Sequence, residues 1–206
     1  MRRQTVLSIL PVAVLLIGAG TIQSTSQAAS DSTFNKAYFA GGCFWCMEEA
    51  FEKVEGVRSA TSGYMGGTVS NPTYEEVSAG RTGHAESVEV VYDPVKVSYQ
   101  KLLDAFWKNI DPITPNAQFC DHGSQYRSAI FFQTDEEKRA SDTSKQAIEQ
   151  SKRFKEPIVT QIVMASQFYL AEEYHQDFYK KNPIRYKLYK YNCGRAQRLE
   201  EVWGKH

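Results

Sequence analysis

The apolar positions of this chain change period several times, and each change predicts an element. Ala37-Tyr38-Phe39-Ala40 is an apolar run of strand length. After Gly41-Gly42, the residues Phe44, Met47, Ala50, Phe51 and Val54 recur at spacings of three and four, the period of a helix with one buried face. The pattern predicts a strand over 37–40 and a helix over 43–53, stopped by Gly56 and followed by an extended segment over 58–64. Asn71-Pro72 marks a loop, and Tyr74–Ser78 reads as one helical turn. Residues 86–92 alternate, with Val88, Val90 and Tyr92 on one side, and stop at Asp93-Pro94, which predicts a strand. Ser98 caps a helix that carries Leu102, Leu103, Phe106 and Trp107 on one face and ends near Ile110. Residues 111–123 hold two prolines and a glycine and read as irregular. A strand is predicted over 128–133, and Thr134-Asp135-Glu136-Glu137 is a capping box opening a charged helix to about Arg153. A strand over 158–164 and a helix over 171–180 follow. The C-terminal stretch reads mostly as coil, with a short helix near 197–202.

Several strands alternate in pattern instead of being apolar throughout, helices are interspersed, and no internal repeat is present. These features predict the α+β class: a two-layer mixed α/β sandwich with helices on one face and a long irregular C-terminal segment, not a doubly wound parallel sheet.

Composition and charge narrow the function classes. Arg2 and Arg3 precede the apolar run 6–20, and 21–30 is small and polar, the layout of a secretory signal over 1–28. At 15 residues and with Pro11 inside it, that run is short of the roughly 20 needed to span a membrane. Export is the expectation, to the periplasm or beyond, with anchoring the alternative if the leader is retained. Residues 29–206 are then a single domain, long enough for a core without disulfide staples. With Arg2 and Arg3 gone, 22 basic residues of the 24 face 24 acidic ones, a balance that calls for no nucleic acid and no anionic membrane.

The chemistry concentrates in Gly42-Cys43-Phe44-Trp45-Cys46. It sets a thiol at a strand-to-helix turn, where unpaired amides and the positive end of the helix dipole favour a thiolate. Two large aromatics and a second thiol stand beside it. Four cysteines (43, 46, 120 and 193) in an exported chain ordinarily suggest structural disulfides. The Cys43/Cys46 spacing suggests redox work instead. A zinc module would need a second Cys-x2-Cys pair, which the chain lacks. A general disulfide oxidoreductase built on Cys43 and Cys46 is the competing activity, but the βαβ context of thioredoxin is missing.

Six ordered blocks decide between these readings: Gly42-Cys43-Phe44-Trp45, Asn71-Pro72-Thr73-Tyr74, Gly83-His84-Ala85-Glu86, Val91-Tyr92-Asp93-Pro94, Gly123-Ser124-Gln125-Tyr126-Arg127-Ser128 and Tyr174-His175-Gln176. Together they closely resemble the A-type peptide methionine sulfoxide reductases, over about residues 38–203. The resemblance implies a partly ferredoxin-like core and reduction of the S epimer of methionine sulfoxide, free or in proteins. It implies no cofactor beyond a dithiol reductant such as thioredoxin or a thioredoxin-like partner. Carried over, Cys43 is the nucleophile, Glu86 the proton donor, Tyr74 and Tyr126 hydrogen-bond the sulfoxide oxygen, and Asp121 supports the site. A monomer is the default expectation.

The residue chemistry agrees with these roles. Sulfoxide sulfur is a poor electrophile until its oxygen is protonated, so a soft nucleophile and an acid must act together. Glu86 can be that acid only in an apolar setting, which Phe44 and Trp45 would supply along with a pocket for the S-methyl group. The two phenols can donate to the oxygen as charge builds there. The product at Cys43 is a sulfenic acid, which a second thiol condenses to a disulfide. Cys193, in the tail, and Cys46, where the commonest family pattern has glycine, are both candidates for that thiol, as is a relay through both. Cys120 reads first as a pocket-wall thiol, and His175 as a pocket-rim or supporting group.

Overall fold

Alternation along the first strand already sorts the two faces of the sheet. In β1 (Asn35–Gly41), Ala37 and Phe39 are buried on the helix side, while Tyr38 and Ala40 turn the other way. The computed structural model describes Met1 and residues 34–205; the predicted leader, apart from Met1, lies outside the described residues. The elements that follow are α1 (Phe44–Glu52), β2 (Val57–Met65), α2 (Tyr74–Ser78), β3 (Ala85–Tyr92) and α3 (Tyr99–Lys108). Then come a two-residue ladder of β4 (Ala117–Gln118) and β5 (Asp121–His122), β6 (Ser128–Phe132), α4 (Asp135–Gln150), β7 (Gln161–Met164) and β8 (Tyr169–Leu170). The chain closes with α5 (Phe178–Lys181), α6 (Pro183–Asn192) and α7 (Arg195–Trp203).

The main sheet has the order β7-β6-β1-β3-β2-β8. β1 and β2 both pair antiparallel with β3, and β6 pairs antiparallel with β1, so β6-β1-β3-β2 with α1 and α3 in the connections is a ferredoxin-like unit. β7 adds parallel to β6, which makes the sheet mixed. Phe39, Phe44, Met47, Phe51, Leu102, Leu103 and Phe106 form the layer between sheet and helices. Phe39 stacks on both Phe51 and Phe106, with ring centroids 4.8 and 5.3 Å apart. The opposite face carries a smaller cluster of Ala40, Met65, Ala85, Ala129 and Phe131, covered by Ala165 and Phe168. No helix among the described residues is long and apolar enough to cross a membrane.

The mixed two-layer class holds, and four local expectations are corrected. The C-terminal stretch is not irregular: α6 and α7 occupy it, with Pro183 in the first turn of α6 where its missing N–H costs nothing. The helix expected over 171–180 is interrupted. Gln176 spends its side-chain amide on Ser62 O and Ala171 O, and Asp177 turns left-handed (φ 53°) while donating its N–H to Glu48. Only a 3-10 turn over 173–175 and the short α5 remain. The strand expected over 158–164 begins at Gln161, and 111–123 contains the small β4–β5 ladder.

Candidate active site

Gly42 opens the site. Its φ of 81° suits glycine, and a Cβ there would lie 2.4 Å from Cβ of Gln118. That turn makes Cys43 the N-cap of α1, buried at 6 % exposure. Across from it, Glu86 leaves β3 at the second residue and accepts the Phe44 N–H at 3.0 Å through Oε2; Oε1 has no hydrogen-bond partner among the described residues. Glu86 is 3 % exposed. Burial raises its pKa to about 8, helped by the negative charges of Asp121 and Cys46 and opposed by the Phe44 N–H, so the carboxyl is largely protonated at neutral pH. Burial also raises the Cys43 thiol, and its hydrogen bond with Cys46 adds to the rise, so the lowering expected from the helix end does not prevail.

Tyr74 begins α2, whose capping box (Thr73 with Glu76) fixes the turn, and its own N–H donates to Glu172 at 2.8 Å. Tyr126 ends the 3-10 turn 124–126. Neither phenol has a hydrogen-bond partner among the described residues, and burial raises both pKa values, Tyr74 to about 12, so both remain neutral donors. Asp121 accepts the Tyr189 hydroxyl at 2.5 Å. These groups line one cavity of about 260 Å3: Cys43, Phe44, Trp45, Tyr74, Glu86, Asp121 and Tyr126, together with Arg185 and Tyr189. That volume lies below the range of drug-sized sites and suits one side chain.

Trp45 is held from behind. Its ring stacks on Phe178 at 3.7 Å, and its indole N–H donates to Nδ1 of His175 at 3.1 Å. His175 does not line the cavity. It lies under the rings of Phe44 and Tyr74, at 4.9 and 4.5 Å, and its Nε2 is enclosed without a partner among the described residues. It is thus a supporting group and not a rim group.

The cysteines fall into two pairs. Cys43 and Cys46 are free, buried and packed together with Phe178 and Tyr186. Cys120 and Cys193 form a disulfide. Cys120 is therefore not a pocket-wall thiol: it is exposed, does not line the cavity, and its sulfur is already bonded. Cys193, for the same reason, is not free to meet Cys43 in this state. Neither Cys43 nor Cys46 belongs to a cluster with metal-ligand geometry among the described residues; the two such clusters are Cys120/Asp121/Cys193, whose sulfurs are bonded to each other, and Glu48/Glu52/Asp177.

Sequence reasoning missed Tyr189 and Arg185, because both lie on α6, which read as coil. The signal was there: Tyr186, Tyr189 and Cys193 recur at three and four, the inner face of a helix that begins at Pro183. It was masked by Ile184, Leu188 and Tyr191, which are apolar yet exposed.

With this geometry in place, residues 35–206 match the peptide methionine sulfoxide reductase family. The chain belongs to that family. The peptide methionine sulfoxide reductase MsrA of Halalkalibacterium halodurans is 49% identical over 175 residues, 85% of this chain and 99% of the relative. That of Bacillus subtilis is 50% identical over 168 residues, 82% and 95%. Among solved structures, the reduced form of Mxr1 from Saccharomyces cerevisiae superposes with a TM-score of 0.69 at 32% identity, covering 73% of this chain and 87% of that one. Methionine sulfoxide reductase A of Corynebacterium diphtheriae does so at 0.67 and 34%, covering 73% and 76%. The family match thus extends over nearly all of the described chain.

Proposed function

We propose that this reductase converts methionine S-sulfoxide, free or in proteins, to methionine at Cys43, and is returned to its dithiol form by a thioredoxin-like donor. One observation carries the reading. A buried carboxyl that is protonated at neutral pH and a helix-capping thiol open into the same small cavity, with two unpartnered phenols beside them.

In the reaction, the Cys43 sulfur attacks the sulfoxide sulfur while Glu86 gives its proton to the oxygen. The proton shed by Cys43 restores Glu86, so none is consumed on balance. Tyr74 and Tyr126 donate to the oxygen as negative charge develops, and the positive end of α1 stabilises the thiolate as it forms. Phe44 and Trp45 keep water out and contact the methyl group, and Asp121 holds Tyr189 at the cavity wall. The hydroxyl then passes from the substrate sulfur to the Cys43 sulfur as the bond between the two sulfurs breaks, so the sulfide departs and Cys43 carries a sulfenic acid. Cys46, the free thiol packed against it, then forms the S–S bond and releases the oxygen as water.

A dithiol protein cannot reach Cys43 or Cys46, at 6 and 3 % exposure. Exposed Cys120 offers it a disulfide at the surface instead. The Cys120/Cys193 pair accordingly receives electrons first and passes them inward by thiol–disulfide exchange. If the chain is exported as its leader implies, the donor must work in an oxidising compartment. The experiment is turnover of the two separated sulfoxide epimers with dithiothreitol. The S epimer alone should be reduced. Reduction of insulin without reduction of either epimer would instead support a general disulfide oxidoreductase.

A further inference from the structure

The walls of the reaction cavity sort by depth. Cys43 and Glu86, which do the chemistry, are buried at its floor. Among the described residues that line it, only Arg185, on α6, is exposed. A methionine side chain whose sulfur reaches Cys43 therefore leaves its backbone and its chain neighbours at the rim, beside Arg185.

The guanidinium is held there without an anion. It lies 5.8 Å over the Phe178 ring, the same ring that stacks on Trp45 of the cavity wall at 3.7 Å. The neighbouring lysines are matched: Lys180 by Glu52 and Asp177, Lys181 by Glu173, and Lys190 by Glu49. The two carboxyl groups of the wall are spent elsewhere, Glu86 on the Phe44 N–H and Asp121 on the Tyr189 hydroxyl. Neither is within ion-pair distance of Arg185 among the described residues. On α6 Arg185 shares this unmatched state only with Lys187, which does not line the cavity. An unmatched arginine is ordinary on a surface. At the mouth of a binding cavity, its planar fork offers paired donors in the geometry that a carboxylate accepts.

We propose that Arg185 sets substrate preference by pairing with a carboxylate close to the Cα of the methionine sulfoxide. That carboxylate is the α-carboxylate of the free amino acid or an acidic side chain beside the sulfoxide in a peptide. The inference rests on the reading of this cavity as the sulfoxide site. Because the carboxylate is remote from the reacting sulfur, the pairing is the same in ground and transition states. It lowers KM more than it changes kcat.

The test uses two pairs of S-sulfoxides with dithiothreitol as reductant. One pair is N-acetylmethionine sulfoxide, which keeps its carboxylate, and its N-methylamide, which has none. The other is two end-blocked peptides with Asp or Lys after the sulfoxide. In the native protein the carboxylate-bearing member of at least one pair should have a kcat/KM about fivefold higher, carried by KM, the size of a partly exposed ion pair. Arg185→Gln should abolish that preference, Arg185→Glu should invert it, and Arg185→Lys should keep part of it. Lys187→Gln should leave it as in the native protein. A response of the first pair alone names the α-carboxylate, and of the second alone an acidic neighbour; each supports the proposal. No preference in the native protein, a preference that survives Arg185→Glu, or one that Lys187→Gln removes equally, overturns it. Should the native protein reduce none of these sulfoxides, the reading of the cavity fails and the inference falls with it. If the Arg185 variants do not fold, salt decides: KCl at about 0.5 M should erase most of the preference in the native protein, and a preference indifferent to salt refutes the pairing.

Discussion

A carboxylic acid donates a proton at neutral pH only where water is kept from it, and Glu86 meets that condition between Phe44 and Cys43. The sulfoxide-reducing step, followed in single turnover, should therefore fall away as pH rises past about 8. Glu86→Gln should cost about 10²–10⁴ in that step, the usual range for a positioned proton donor; an unchanged rate would remove Glu86 from the mechanism. The same shift makes Glu86 a burden on folding. Its folded pKa lies above the unfolded value of 4.5, so its contribution is fully favourable below that value and is lost as pH climbs through about 8. Denaturant unfolding should accordingly find Glu86→Gln more stable than the native protein near neutral pH, by on the order of 3 kcal/mol, with the gap closing toward pH 4. Tyr126→Phe removes one of two donors to the oxygen and should lower the same rate by about 10². The identities of these side chains were legible in the six sequence blocks, because each block carries its own local chemistry. Protonation of Glu86 was legible only as a requirement, since the groups that share its cavity come from α1, α2, α6 and the segment 121–126.

Short elements hold the site, and their caps carry much of the precision. The Thr73/Glu76 box sets the first turn of α2 and so the place of Tyr74. Thr73→Ala should cost about 1 kcal/mol in unfolding experiments, the typical value for a lost N-cap, and reduce the reaction rate more than the affinity for sulfoxide. Elements whose signal is short-range were read correctly: α1, α3 and α4 each show a 3.6-residue apolar period or a cap, and β3 shows alternation. The failures have a common cause in long-range contacts. Residues 171–180 have helical character, but Gln176 is worth more to Ser62 on β2 than to its own helix, and Glu48 draws off the N–H of Asp177. In α6 the inward face is made of tyrosines and a cysteine and the outward face of apolar residues, so hydropathy points the wrong way.

At the scale of the fold, the ferredoxin-like unit supplies a rigid floor, and α5–α7 wrap back over α1 to close the cavity with Tyr189 and Arg185. The Cys120–Cys193 bond ties that cover to the β4–β5 ladder across 73 residues of chain. Under oxidising conditions, Cys120→Ser with Cys193→Ser should lower unfolding stability by about 2–4 kcal/mol. The same double variant should keep its first turnover and lose steady-state turnover with a thioredoxin-like protein as reductant. Full steady-state rates would show that electrons enter elsewhere. From the amino-acid order came the reactive thiol, its acid, the phenols, the family and the mixed two-layer class, because those features are written in residue types and in spacings of a few positions. Folding in three dimensions settled which cysteines pair, how the C-terminal third is built and what charge each buried group carries. Pairing, desolvation and field depend on groups brought together from distant parts of the chain, and no local pattern records them.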